Sequence, residues 1–294
     1  MIHALSFDIE DWFHIVDIPE LENRDNWHEF DSIVEDKTAL ILDILDEYDT
    51  KATFFILGWI AQKYPKLSKR IADAGHEIGS HSFWHRRVYT MHPDDFRYDL
   101  ALSKDLLEQQ TGQKVKGFRA PSFSITPGTE WAFDIMGELG FLYDASLFPA
   151  TRGHGGYPCT QETHIIPLTE ANTYLFELPM SIQGFGPVKI PFSGGGYMRL
   201  LPSGVIQRYF NSFEDNKTPV VVYLHPRDFA PEQPRVKMPL DRKFKSYVGL
   251  NSTEQKLRKL LEDYSFDTCM NVIIEETRKQ KEAEEIIESV KMVS

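Results

Sequence analysis

The residues best equipped for chemistry fall in four short segments of the 294-residue chain: Asp8-Ile9-Glu10-Asp11, His81-Ser82-Phe83-Trp84-His85, Arg119-Ala120-Pro121 and His225-Pro226. His81 and His85 are four apart, so one helical turn or one tight loop aims both imidazoles at a single ion. An acid from a neighbouring segment completes a three-ligand set with positions open to water and substrate, the arrangement of a catalytic metal. Asp8, Glu10 and Asp11 exceed what such a metal needs, which divides the labour: one carboxylate binds the ion and another takes a proton from water. Asp8 is the better candidate for the base. Strand side chains alternate, so Asp8 and Glu10 share a face and Glu10 is the simplest acidic ligand; Asp11 is the alternative if the strand has already turned. At least one of the three is expected to cap the following segment instead. Arg119, buried, would hold a carboxylate bidentately. His225 follows a run of apolar and aromatic residues, which starts its ring inside the site, where an imidazolium could give a proton to a departing amine.

These residues need elements to position them, and the hydrophobic pattern supplies an alternation. An apolar run over 2–7 reads as a first strand that stops at acids. A helix from Asp31 to about Asp49 follows, with Asp31 or Ser32 as its cap, then a strand over 52–57, a helix over 59–74 despite Pro65, and a third strand from His76 to Gly79. A helix over 93–111, a strand into Arg119, a helix over 129–139 and a strand over 141–144 continue the rhythm. Such repetition predicts parallel strands covered by helices, and the active site of that architecture lies at the carboxyl ends of the strands, where each reactive segment falls. Residues 150–204, rich in Gly and Pro, read as an inserted excursion over the mouth, with Tyr157, Phe185 and Tyr197 as aromatics able to stack on sugar faces. A late strand over 219–224 ends at His225, and 253–264 forms a last amphipathic helix. The expected division is one catalytic domain over 1–270 and a charged tail over 271–294.

Composition narrows the partners. A net charge of −12 works against phosphate backbones, which excludes nucleic acid. Cys159 and Cys269 form neither a disulfide framework nor a Cys-x-x-Cys motif. The N-terminal residues lack the pattern of a secretion signal, and no apolar run reaches the roughly 18 residues that would cross a bilayer, so a cytoplasmic location is expected.

Taken together, the segments resemble the polysaccharide deacetylase (NodB-homology) superfamily. Ser-Phe-Asp-Ile-Glu-Asp (6–11) resembles the Thr-Phe-Asp-Asp-Gly motif, His81-Ser82-Phe83-Trp84-His85 the metal-binding His-Ser/Thr-x-x-His motif, Arg119-Ala120-Pro121-Ser122 the Arg-x-Pro-Tyr motif, and Leu224-His225-Pro226 the Leu-x-His motif. The resemblance implies a distorted (β/α)7 barrel and removal of acetyl groups from N-acetylhexosamines. It implies a divalent metal, commonly zinc, with cobalt, manganese or nickel as alternatives. Asp8 would be the general base, Arg119 its orienter, His225 the acid, and the Ser122 backbone N–H an oxyanion donor. The Asp-Asp pair of the family is here Asp-Ile-Glu-Asp, which leaves the acidic ligand divided between Glu10 and Asp11. The partner of His225 is sought at Asp144 or Asp228. Gly-Gly-Gly-Tyr-Met-Arg (194–199) resembles a bacterial subgroup of exopolysaccharide and lipopolysaccharide biosynthesis. Rival readings are a deformylase on a lipid-linked amino sugar, an allantoinase-like amide hydrolase, and a carbohydrate-binding pseudoenzyme.

Overall fold

In the computed structural model, which describes residues 1–150, 155–170, 172–185 and 188–293, the first apolar run becomes β1 (Ile2–Ile9), buried at every residue after Ile2. The short α1 (Pro19–Glu22) and then α2 (Val34–Glu47) lead to β2 (Thr53–Ile56). The single helix expected over 59–74 is two, α3 (Gly58–Lys63) and α4 (Pro65–Asp73). They break at Tyr64, φ −126° and ψ 64°, because Pro65 cannot continue a helix from within yet suits its first turn. Next come β3 (Glu77–Ser80), α5 (Pro93–Thr111), β4 (Gly117–Phe118), α6 (Trp131–Glu138) and β5 (Tyr143–Asp144). β6 (His164–Pro167), β7 (Tyr174–Glu177), β8 (Gln183–Phe185), β9 (Val188–Ile190) and α7 (Gly195–Leu200) occupy the Gly/Pro-rich stretch. The chain finishes with α8 (Ser203–Asp215), β10 (Val221–Leu224), α9 (Leu240–Tyr247), α10 (Thr253–Asp263), β11 (Ser265–Asp267) and α11 (Cys269–Val293).

The main sheet has the order β10-β1-β2-β3-β4-β5-β7-β6, with β11 also paired to β1. The seven strands from β10 to β7 are mutually parallel, the number the expected barrel requires. No ladder among the described residues joins β10 to β6, so the hydrogen-bonded path does not close. Gly194 makes a lone bridge to Tyr223 beside β10. Strand alternation sends Phe7, Phe54, Ile56, Ile78 and Phe118 outward into a core shared with the helices. It sends Ala4, Phe55, Tyr143, Val221 and Tyr223 inward into a second cluster.

Two expectations about organisation change. Residues 150–204 are not wholly an excursion: β7 is the seventh parallel strand, and β6 extends the sheet antiparallel to it. The expected tail begins inside the core, since Val272 and Ile273 of α11 are buried against Ala4 and Val221. The Cys269 N–H donates to Thr53 Oγ1 at 2.8 Å and the Met270 N–H to Glu77 Oε2 at 3.2 Å, which fastens α11 to the starts of β2 and β3. No helix of the described residues is long and apolar enough to cross a membrane.

Candidate active site

The carboxyl ends of β1, β3, β4 and β10 deliver the predicted residues to one pocket of about 360 Å³, lined by Asp8, Glu10, His81, His85, Ser122 and His225. Asp8 is the last inward-facing residue of β1. Arg119, just past β4, is wholly buried and donates through Nη1 to Asp8 Oδ1 and to Ser6 Oγ, both at 2.8 Å, and through Nε to the Ala145 carbonyl at 3.1 Å. The fork expected to grip the carboxylate with two nitrogens therefore uses one: Nη1 is shared between Asp8 and Ser6, Nε turns to Ala145, and Nη2 is buried without a hydrogen-bond partner among the described residues.

Between His81 and His85 the chain forms a tight loop rather than a helical turn. Ser82 and His85 have φ of +65° and +52°, a conformation unfavourable for side-chain-bearing residues unless the surroundings enforce it. Here they do. Asp99 accepts the N–H groups of Phe83 and Trp84, Ser82 Oγ accepts that of His85, and the Ser82 and Phe83 carbonyls take the N–H groups of Gly58 and Trp59. Position 58 must be glycine, since a Cβ there would lie 2.9 Å from the Phe83 Cα. One nitrogen from each of His81 and His85 and a carboxylate oxygen of Glu10 lie within 4.8 Å of one another. His81 donates Nδ1–H to the Arg119 carbonyl at 2.8 Å, which fixes the tautomer and leaves Nε2 with a lone pair. Burial, opposed by Asp8 and Glu10, lowers the His81 pKa to about 4, so the ring is neutral and able to ligate at pH 7. Burial alone would raise Glu10, but His85, with Nε2 2.6 Å from Oε2, and more distantly His225 and His81 hold it below the usual carboxylate range. Apart from this close approach of His85, Glu10 Oε2 is buried with no hydrogen-bond partner among the described residues. A neutral imidazole, a second imidazole and an ionised carboxylate converging in this way fit a divalent metal of the zinc type.

Asp11 is not part of that cluster. Its carboxylate accepts the N–H of Trp12 at 2.9 Å and of Ile33 at 3.2 Å and binds the Ser32 hydroxyl. It thereby caps both the turn after β1 and the start of α2, the capping task foreseen for one of the acids, while Ser32 Oγ accepts the Val34 N–H.

His225 Nε2 is 3.7 Å from both Asp8 Oδ2 and Glu10 Oε1. Its Nδ1–H donates to Asp228 Oδ2 at 3.1 Å, which identifies Asp228 as its partner; Asp144 is engaged elsewhere, by Ser146 at 2.5 Å. Burial works against charge on His225, yet the Asp228 hydrogen bond and charge, with Glu10 and Asp8, raise its pKa. Asp228, pushed up by burial but overcome by Arg199, His225 and Arg227, falls to about 2. Arg199 Nε reaches Asp228 Oδ1 at 3.2 Å, and its other nitrogens donate to the Lys245 and Ser246 carbonyls of α9 at 3.0 Å. Ser122 lines the pocket with φ +57°. Of the three aromatics considered for stacking, Tyr197 lines the pocket, Tyr157 donates its hydroxyl to Glu130 at 3.1 Å, and the Phe185 side chain is outside the described residues.

Two residues of the site had no role in the sequence reading. Arg199 stood only within a subgroup motif. His14 is buried, accepts the Asp11 N–H on Nδ1 at 2.8 Å and lines the same pocket, its ring 4.3 Å from that of Trp27; burial keeps its pKa well below the usual value. Its position three residues after the capping acid was the available signal.

Residues 21–141, which contain His81, His85 and Arg119, match the family described as polysaccharide deacetylase. Residues 145–274, which contain Arg199, His225 and Asp228, match a domain of unknown function (DUF3473). A peptidoglycan-N-acetylglucosamine deacetylase of Bacillus cereus is 38% identical over 84 residues, 29% of this chain and 30% of the relative. A chitooligosaccharide deacetylase of Azorhizobium caulinodans is 34% identical over 85 residues, 29% of this chain and 40% of the relative. The chain thus spans well under half the length of these curated relatives. A solved Mycobacterium smegmatis structure, provisionally named a polysaccharide deacetylase, shares the fold at TM-score 0.63 and 22% identity, over 95% of this chain and 90% of that one. Residues 21–141 of the chain thus carry a polysaccharide deacetylase domain of the NodB-homology superfamily.

Proposed function

We propose that this protein is a metal-dependent amide hydrolase that removes N-acetyl groups from N-acetylhexosamine units of a glycan or glycan precursor, in bacterial exopolysaccharide or lipopolysaccharide biosynthesis. One observation carries the reading: an Arg-held carboxylate, a Glu-His-His cluster and an Asp-held histidine open into the same pocket. Glu10, His81 and His85 would hold the metal, zinc foremost, which when bound acidifies a water and polarises the acyl carbonyl. Asp8, fixed by Arg119, takes the proton of the attacking water. The Ser122 backbone N–H is the candidate donor to the oxyanion. His225, its Nδ1–H committed to Asp228, gives the Nε2 proton to the departing amine. The catalytic unit in this reading runs from β1 into the first turns of α11, since Asp8 precedes residue 21 and Ile273 still packs on β1.

The test is acetate and formate release across N-acylated sugar donors and glycans, with metal-free and metal-restored protein. Acetate that appears only with metal supports the reading. Formate in its place points to a deformylase, and stoichiometric metal with no acyl release from any glycan points to a carbohydrate-binding protein.

A further inference from the structure

Exposed apolar side chains gather at one edge of the pocket mouth. Leu240, 84% exposed, and Phe244, 55% exposed, lie one turn apart on α9, and Tyr197 and Leu200 lie three apart on the neighbouring α7. Phe244, Tyr197 and Leu200 line the pocket that holds Asp8 and His225, so the apolar edge is continuous with the site.

The same edge is basic in an otherwise acidic chain. Residues 235–247 carry Arg235, Lys237, Arg242, Lys243 and Lys245 against one acid, Asp241. Two of the cations are engaged: Arg235 stacks on the Tyr247 ring at 4.1 Å, and Arg242 donates to the Val16 and Asp17 carbonyls at 2.5 and 2.8 Å. Arg242 thus points one face of α9 at the protein. Leu240, Lys243 and Phe244, at i, i+3 and i+4, share another face, and it is exposed. Lys237, Lys243 and Lys245 are exposed and have no acidic partner among the described residues.

A helix that presents leucine and phenylalanine to solvent beside exposed lysines has the make-up of an interfacial segment: the apolar side chains enter the headgroup boundary and the lysines meet lipid phosphates. The chain's overall negative charge does not forbid this, because charges more than about 8 Å from the membrane are screened at physiological salt. We infer that α9 docks the mouth of the pocket on an anionic phospholipid bilayer, so that amides carried at a membrane surface face the site. The docking stands on α9 itself; what is presented there rests on the proposed deacetylase reading.

The experiment is co-sedimentation of the full chain with vesicles of phosphatidylcholine alone and of phosphatidylcholine with phosphatidylglycerol, alongside acetate release from a soluble N-acetylated oligosaccharide. The wild type should bind the anionic vesicles and lose that binding as salt rises. Leu240→Glu combined with Lys243→Glu, neither of which lines the pocket, should weaken binding by at least about tenfold, given about fivefold per lysine, and leave release from the soluble oligosaccharide unchanged. Equal binding to both vesicle types, no binding to either, or a variant that binds like wild type overturns the docking. A dimer in sedimentation equilibrium that Leu240→Glu dissociates assigns the face to a second copy and overturns it too. Vesicle binding without acetate release from either protein refutes the deacetylase reading and leaves the docking standing.

Discussion

Two sets of buried carboxylates on the same sheet behave in opposite ways. At the mouth, Asp8 faces Arg119, Glu10 faces His85 and His225, and Asp228 faces Arg199 and His225. Further round, Asp144 and Glu177 sit at paired positions of β5 and β7 and face each other with no cation among the described residues. Glu10 and Asp228 are held low in spite of burial, whereas burial pushes Asp144 and Glu177 up, and the charge of Asp144 pushes Glu177 further. Asp144 Oδ2 and Glu177 Oε2 lack any other partner among the described residues, and one proton held between the two carboxyls would satisfy both. Burial does not by itself make a carboxylate reactive. A matched cation keeps it charged and available, and its absence turns the acid into a structural hydrogen bond.

The contrast can be tested from its strongest consequence downward. Asp8→Asn should lower turnover by about 10²–10⁴-fold, the contribution of a positioned base, with the circular dichroism spectrum and metal content unchanged; wild-type acetate release would remove Asp8 from the mechanism. Glu10→Gln should reduce metal affinity in calorimetry by more than about 100-fold, beyond what outer-shell changes produce. Asp11→Asn should keep that affinity and instead lower thermal stability by about 1 kcal/mol, the worth of a cap. Asp228→Asn removes the group that raises the His225 pKa. An acid works while protonated, so the alkaline limb of the kcat/KM profile should move to lower pH, with up to about 10²-fold loss on that side, the lower end of what a positioned acid contributes; an unmoved limb would mean another group sets it.

The smallest effect belongs to the second set. Glu177 has a folded-state pKa raised above its unfolded value, so its stabilising contribution is present below the unfolded pKa and is lost as pH climbs through the folded one. Glu177→Gln should therefore gain stability relative to wild type as pH rises from about 5 to 8, by up to about 1–3 kcal/mol, the penalty of an unpartnered buried polar group. Denaturant midpoints across that range measure it, and a difference that does not vary with pH would refute the shared proton.

The alternation of strands and helices was readable because a buried parallel strand is a run of apolar residues and its end is a change to polar ones, as at Asp8, His81 and His225. Contacts between distant positions were not. Ile33 has no capping side chain of its own, and Asp11, 22 residues earlier, serves instead. Nothing local to α2 announces that, so the sequence alone keeps Asp11 as an alternative ligand beside Glu10. Arg199 was likewise invisible as a partner of Asp228, since the two meet only through the fold. β7 is hidden in the sequence because its four residues run exposed, buried, half-buried and buried and end in an acid, a weaker signal than the solid apolar run of β10.

The placement of β1 also has a consequence in time. This strand carries Asp8 within the first ten residues, yet one of its edges is completed by Val221–Leu224, more than 200 residues later. At about 5–20 residues per second, roughly 10–40 s of translation separate the two. For that interval an apolar strand with an unsatisfied backbone edge waits beside other emerging chains. The segment that supplies the proposed base thus also needs protection at the ribosome, and substitutions that lengthen that wait should lower the yield of folded protein before they affect the folded protein itself.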